Sequence, residues 1–190
     1  MPVYHKHKLI HIHIPKTAGT AIEQLFHHVG DMRWGPRSWI GVEEVEGRWY
    51  EYQHLSLPEL HTLAASTFPG FSSFAVIRDP YSRLISDYRW RQKIRSNHPD
   101  SATRFFDSFN SFLNAIPQDI DSCWQENIRD ADRQQANFLI HVRTQNHSIL
   151  DKQGNCRVDT VIRFERLRQE LTGLLALLGM RTRHIRQPRI

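Results

Sequence analysis

The sequence predicts an α/β fold in which a mainly parallel sheet is flanked by helices. Three segments carry that prediction. Residues 8–14 (KLIHIHI) alternate and are rich in isoleucine, as a strand requires, and a helical repeat follows them directly. Residues 72–79 (SSFAVIRD) read as a buried strand and also run straight into a helical stretch. Residues 158–165 (VDTVIRFE) repeat the arrangement ahead of a leucine-rich period. Strands separated by helices are joined by crossovers, which set neighbouring strands parallel.

In chain order, Ile22, Leu25, Phe26 and Val29 stand at i, i+3, i+4 and i+7 and mark the first helix, with Gly30 as its stop. Residues 31–50 carry glycine, proline and three tryptophans without a clear period, so a long ordered loop is expected there. SLPELHTLAAS (56–66) reads as a short helix, capped by Ser56, or by Leu57 with Pro58 in the first helical position. In DPYSRLISDYRWRQKI (79–94) Asp79 serves as N-cap and Pro80 opens the helix. Tyr81, Leu84, Ile85 and Tyr88 form its apolar stripe, and Arg83–Asp87 at i+4 reads as a surface ion pair. Further helices are expected over 103–116 and about 124–140, and a last one over about 165–178 that buries Leu167, Leu171, Leu174, Leu175 and Leu178. SIL (148–150) is a late strand candidate.

The 190 residues suit a single domain, 1–190, that ends in a basic, partly irregular tail over 181–190. An apolar content of 39% supports one core and argues against disorder. The net charge of +5 favours anionic partners without choosing among nucleotides, nucleic acid, acidic glycans and a membrane surface. Cys123 and Cys156 alone build neither a disulfide framework nor a CxxC motif, which fits a reducing compartment. The apolar run LLALLGM is far shorter than the ~18 residues of a membrane span. Histidines interrupt the N-terminal apolar residues, so no signal peptide is read there. A soluble cytoplasmic protein is the expectation.

PKTAGT (15–20) has the makings of an anion site. A glycine at a helix start lets the backbone approach a ligand, and the first helical N–H groups lack internal partners. Lys16 adds a full charge, and Thr17 and Thr20 add hydroxyls. The lysine precedes the glycine, so this is not the GxxxxGK[ST] order of a triphosphate loop. In VIRDPYSRLIS (76–86) Arg78 sits at a strand end and Ser86 lies about two turns into the next helix, on the face that Arg83 shares. Each motif alone fits an ordinary strand–helix turn. Both follow strands whose carboxyl ends should open on one crevice. Together they suit a ligand with two separated phosphates, such as a nucleoside 3′,5′-bisphosphate.

HIHIPKTAGTAI resembles the 5′-phosphosulfate loop of sulfotransferases, and FAVIRDPYSRLISDYRW resembles their 3′-phosphate motif, with arginine and serine at the family's spacing. VDTVIRFERLRQEL is similar to the late strand–helix segment of the family-2 type, which includes heparan sulfate and other carbohydrate sulfotransferases; DRQQANFL resembles another family segment. The resemblance spans about residues 8 to 179. It implies a P-loop-like three-layer fold, 3′-phosphoadenosine 5′-phosphosulfate (PAPS) as donor, its bisphosphate (PAP) as product, an acceptor hydroxyl and no metal. Carried onto this chain, it implies that Lys16 holds the 5′-phosphate and the leaving oxygen. Thr17, Ala18, Gly19 and Thr20 line the loop, and Arg78 and Ser86 hold the 3′-phosphate. Family members often grip the nucleotide with a polar late segment. Here Arg181, Arg183, Arg186 and Arg189 stand instead, so the adenine contacts are left open. The features together fit a soluble bacterial form.

The acceptor hydroxyl needs a base, and an unperturbed histidine suits neutral pH. WYEYQHLSLPEL resembles the family segment that holds a catalytic histidine, which makes His54 the first candidate; His11, His13 and Glu43 follow. A structural hydrogen bond near a helix start is the alternative for His54. His5, His7, His11 and His13 alternate and are read as strand residues packed under the loop rather than as a metal site. Trp34, Trp39 and Trp49 suit either a sugar-stacking role or the core. The acceptor is expected to be a saccharide or a small hydroxylated metabolite, with no nucleic-acid partner and an open oligomeric state. Two other readings stand beside this one. A P-loop-like kinase or hydrolase lacks its loop order, and a nonenzymatic nucleotide or nucleic-acid binder rests on the basic tail.

Overall fold

The computed structural model describes residues 2–28, 32–33, 42–45, 47–64, 68–97, 103–121, 128, 131–151 and 153–179. In chain order the elements are β1 (Val3–Tyr4), β2 (Leu9–Ile12), α1 (Gly19–His28), β3 (Met32–Arg33), β4 (Val42–Val45), β5 (Arg48–Glu51) and α2 (Leu57–Ala64). Then come β6 (Ser72–Ile77), α3 (Pro80–Asn97), α4 (Phe109–Asn114), α5 (Arg133–Val142), α6 (Gln145–Ile149), β7 (Thr160–Arg163) and α7 (Leu167–Leu177).

The sheet runs β3-β1-β2-β6-β7, and its three larger strands, β2, β6 and β7, are parallel. Ile10 pairs with Ser73 and Ile12 with Ala75, while Ala75 pairs in turn with Val161. β1 and β3 extend the β2 side as two-residue antiparallel strands. Alternation along the strands splits the core between two faces. Leu9, Phe74, Val76 and Ile162 pack with Ile22 and Phe26 of α1 and with Leu167, Leu171, Leu174 and Leu175 of α7. Ile10, Ile12 and Ala75 pack on the other face with Leu57 and Leu60 of α2 and Tyr50 of β5. The result is the expected three-layer α/β arrangement. A further apolar cluster joins Phe106 and Phe112 to Phe138 and Leu139 of α5.

Several local expectations change. Part of the predicted loop at 31–50 is a β-hairpin, in which Val42 pairs with Glu51 and Val45 with Arg48. Gly47 takes a φ of 74° at its turn, a conformation that glycine adopts without a Cβ clash. SIL falls on α6 and the isolated bridge Leu150–Cys156, not on a strand. Thr144 caps α6 and favours the helical turn. The helix expected over 103–116 is confined to Phe109–Asn114 by a Ser108 capping box. Within the segment expected at 124–140, Asp132 caps α5, so this helix starts at Arg133. Ser56, not Leu57, caps α2, through reciprocal bonds with Glu59. His5 and His7 sit in the turn after β1, and only His11 of the four alternating histidines lies within β2. Leu178 is only partly buried beside the α7 cluster. Val29, Gly30, Trp34, Trp39, Cys123 and the tail 181–190 lie outside the described residues. Trp49 belongs to the core: it borders the Phe112–Phe138 cluster, and its Nε1 donates to the Ala131 carbonyl at 2.8 Å. Among the described residues no helix is long and apolar enough to cross a membrane.

The largest correction concerns α3. Tyr81 is 78% exposed and Ile85 38%, so of the predicted apolar stripe only Leu84 and Tyr88 meet the core, packing partly buried against the Phe112–Phe138 cluster. The buried face is Arg83, Asp87 and Arg91. Asp87 does not pair with Arg83. Its carboxylate accepts from Arg91 Nε and from His141 Nδ1 of α5, each at 2.7 Å. Arg83 donates to the carbonyls of His141 and Arg143 at 2.8 and 2.7 Å, binding the negative end of α5. Charge-assisted bonds from two elements make this burial tolerable.

Burial works to raise the Asp87 pKa, but His141 and Arg91 more than offset it and hold the carboxyl well below the usual carboxylate range. The stability it contributes is therefore full above the unfolded value of about 4 and is lost as pH falls through the depressed folded one. In urea unfolding at neutral pH, Asp87→Ala should cost about 3–5 kcal/mol because it strands the buried Arg91 guanidinium and removes the acceptor facing His141 Nδ1. Tyr81→Ala should stay within about 0.5 kcal/mol. Equal effects would return the apolar stripe to consideration.

Candidate active site

The loop after β2 is held in an unusual conformation. Lys16 and Ala18 take φ values of 67° and 75°, left-handed positions that cost a non-glycine residue roughly 1 kcal/mol or more. Thr17 is fully buried, and its hydroxyl donates to the Ile14 carbonyl at 2.8 Å. It therefore braces the loop from inside and, unlike Lys16, Ala18, Gly19 and Thr20, does not line the cavity above. The Thr17 hydroxyl is thus committed to the chain's own backbone, while Thr20 lines the cavity. Gly19 opens α1, but the approach that demands glycine comes from the protein itself: a Cβ there would lie 1.8 Å from Nε2 of His13. His13 is in turn held by Glu23, whose Oε1 lies 2.7 Å from Nδ1.

Arg78, at the end of β6, joins the two motifs. Its Nη1 donates to the Lys16 carbonyl at 3.2 Å, and its guanidinium lies 4.1 Å from the centre of the Phe164 ring. Gln145 clamps the Arg78 backbone at both its N–H and its carbonyl. The buried Nε of Arg78 has no hydrogen-bond partner among the described residues. Lys16, Ala18, Gly19, Thr20, Arg78 and Ser86 line one cavity of about 420 Å³. Burial lowers the Lys16 pKa; Asp87 opposes this, and Arg78 and Arg91 add to it. The ammonium lies 5.1 Å from the centre of the Trp90 ring.

His54 lies on the same cavity. It ends a single 3-10 turn, Tyr52–His54, that leaves the β4–β5 hairpin. His54 Nδ1 is 2.8 Å from the His13 carbonyl, which can only accept, so Nδ1 carries the proton. Nε2 is left with its lone pair, 3.8 Å from Glu51 Oε1. Burial first, and then His13 and His141, push the His54 pKa well below its ordinary value, while the bond to the His13 carbonyl opposes them. Arg143 donates to the His54 carbonyl and, at 3.0 Å, to Glu59, which caps α2. A neutral imidazole is thus fixed at both its ring and its backbone. The structural hydrogen bond from Nδ1 to the His13 carbonyl is also the one that orients Nε2.

Two anion-type motifs and a neutral histidine therefore meet in one cavity. The family model described as "Sulfotransferase family" matches residues 1–189. The chain belongs to the sulfotransferase family. Neither a curated protein nor a solved structure gives a significant match.

Sequence reasoning missed part of this sulfotransferase's cavity wall. Glu51, Trp90, His141 and Phe164 line it. Glu51, Trp90 and Phe164 stand inside the segments that resemble the family's but were not singled out there, and His141 stands outside all of them. Trp90 stacks on His141 with ring centres 5.0 Å apart, and His141 meets His54 edge-on at 5.2 Å. These contacts join α3, α5 and the hairpin, which are distant in sequence. The one local signal was Asp87–Arg91 at i+4. His11, a second candidate for the base, is fully buried between His13 and Phe74 and does not line the cavity. Glu43 lies on β4.

Gly19→Ala tests the packing of this sulfotransferase's loop. Alone it should destabilise the fold by about 1–3 kcal/mol in urea unfolding. In a His13→Ala background the penalty should largely vanish, a coupling of about 1 kcal/mol or more. Additive costs would place the constraint elsewhere.

Proposed function

We propose that the chain transfers a sulfuryl group from PAPS to an acceptor hydroxyl, releasing PAP. The observation that carries this reading is the bond from Arg78 to the Lys16 carbonyl, which joins both anion motifs on the cavity that His54 also lines. The buried Nε of Arg78, without a hydrogen-bond partner among the described residues, supports an anion at this place. Ser86 and Arg78 take the 3′-phosphate. Lys16 and the start of α1 around Ala18, Gly19 and Thr20 take the 5′-phosphate, where unpaired helical N–H groups favour an anion. Thr17 holds the loop in shape.

In the reaction the acceptor oxygen bonds to sulfur as the bond from sulfur to the bridging phosphate oxygen breaks. Lys16 stabilises the charge that grows on that oxygen. The acceptor proton passes to Nε2 of His54, and Glu51 lies close enough to favour the imidazolium that results. Adenosine bisphosphate leaves with the electron pair of the broken bond. A hydroxyl on a saccharide or small metabolite is the acceptor class we favour, because the cavity wall offers both aromatic and polar groups. Membership in the sulfotransferase family favours this over a kinase, hydrolase or simple binder.

Radiolabelled PAPS offered with saccharides, lipids and small alcohols should yield a labelled ester with at least one class. Lys16→Ala should lower kcat by about 10²–10³-fold, and His54→Ala by about 10²–10⁴-fold. With the His54 pKa depressed, the base is competent once pH exceeds that lowered value. The acid limb of kcat should therefore lie below the ordinary histidine range near ~6.5, with a plateau above. Full activity in His54→Ala would remove it as base. Magnesium-dependent ATP turnover would favour the kinase reading.

A further inference from the structure

Glu51, His54 and His141 converge in a way that base catalysis does not require. One ligand atom from each lies within 4.8 Å of the others, and all three residues are buried. Glu51 Oε1 is 3.8 Å from His54 Nε2, and Glu51 Oε2 is 3.9 Å from His141 Nε2. These separations exceed hydrogen-bond length. The hydrogen bond to the Glu51 side chain among the described residues is a long one, from Asn137 at 3.4 Å. A buried carboxylate is thus weakly compensated exactly where two imidazole Nε2 atoms approach it.

The other side of each ring is already committed. Nδ1 of His54 donates to the His13 carbonyl and Nδ1 of His141 faces Asp87 at 2.7 Å. A backbone carbonyl and a carboxylate are the partners that orient metal-binding histidines and point Nε2 at the ion. Four-coordinate zinc holds nitrogen and oxygen ligands at about 2.0–2.2 Å, so its ligand atoms stand roughly 3.4 Å apart. The Glu51–histidine separations of 3.8 and 3.9 Å lie a few tenths of an ångström above that. With all three ligand atoms within 4.8 Å of one another, the set closes on an ion by side-chain shifts of about 1 Å. Glu51 and His54 are three residues apart across a 3-10 turn, a spacing that puts both on one side. The adjoining cavity leaves a fourth position for water or an acceptor hydroxyl.

We propose that Glu51, His54 and His141 form a two-histidine, one-carboxylate site for a zinc-class divalent cation. The ion and the acceptor proton compete for the same Nε2 lone pair of His54. Filling the site therefore inhibits sulfuryl transfer, and a chelator restores it. Metal binding can be read directly, so its failure leaves the metal-free His54 reading standing, and failure of that reading leaves the site intact.

The test is titration of the metal-free full chain with Co²⁺, followed by displacement with Zn²⁺ in competition with a chromogenic chelator. The wild type should take up one equivalent and show the intense visible bands of four-coordinate Co²⁺. Glu51→Gln, which keeps the side-chain shape, and His141→Ala should each abolish those bands and weaken zinc binding at least ~10-fold. Circular dichroism checks folding; if His141→Ala does not fold, Glu51→Gln decides. Absence of the bands in the wild type, or the same bands and affinity in folded Glu51→Gln, would overturn the site.

Discussion

A carboxylate on the buried face of α3 accepts hydrogen bonds from two cation-forming side chains, and the site is built outward from it. Asp87 holds Arg91 on its own helix and His141 on α5. Arg83, one turn earlier, binds the carbonyls at the end of α5. Arg143, just beyond that end, reaches both His54 and Glu59. The angle between α3 and α5 is thus set by charge, and the position of His54 follows from it. Such groups are costly to bury alone and tolerable only as a connected set. That cost gives the arrangement its specificity, because a shifted α3 would leave several ions unpaired.

The parallel centre of the sheet was legible because the alternation before PKTAGT, the buried run of β6 and the short apolar stretch of β7 each lead straight into a helical period. The β4–β5 hairpin was less so. Its four-residue strands contain Glu43, Glu44 and Arg48, which blur alternation, and its turn carries Gly47 without an Asn or Asp before it. Half of the stripe on α3 was misread for a related reason. Periodicity assumes that the most buried face is apolar; here Leu84 and Tyr88 pack inward, but the deepest face is ionic.

The site shows the same division. Lys16, Gly19, Arg78 and Ser86 stand in local motifs that pair as anion sites, and His54 came forward through the resemblance of its segment to one in the family. Glu51 and His141 approach each other only through tertiary packing, across a hairpin and a helix. Thr17 was legible as a loop residue, but its direction was not. Only the fold reveals that its hydroxyl caps the Ile14 carbonyl. Gly19 was singled out for the approach of a ligand, whereas the group that the fold packs against it is the His13 ring.

Recognition of two phosphates on one nucleoside is the central claim, and calorimetry with adenosine 3′,5′-bisphosphate tests it most directly. The account predicts one binding site on the wild type, with adenosine 5′-monophosphate bound far more weakly. Arg78→Ala should reduce bisphosphate affinity at least ~10-fold, as expected for loss of a charge-assisted contact of about 1.5–3 kcal/mol. No detectable binding, or equal affinity for the two nucleotides, would contradict it.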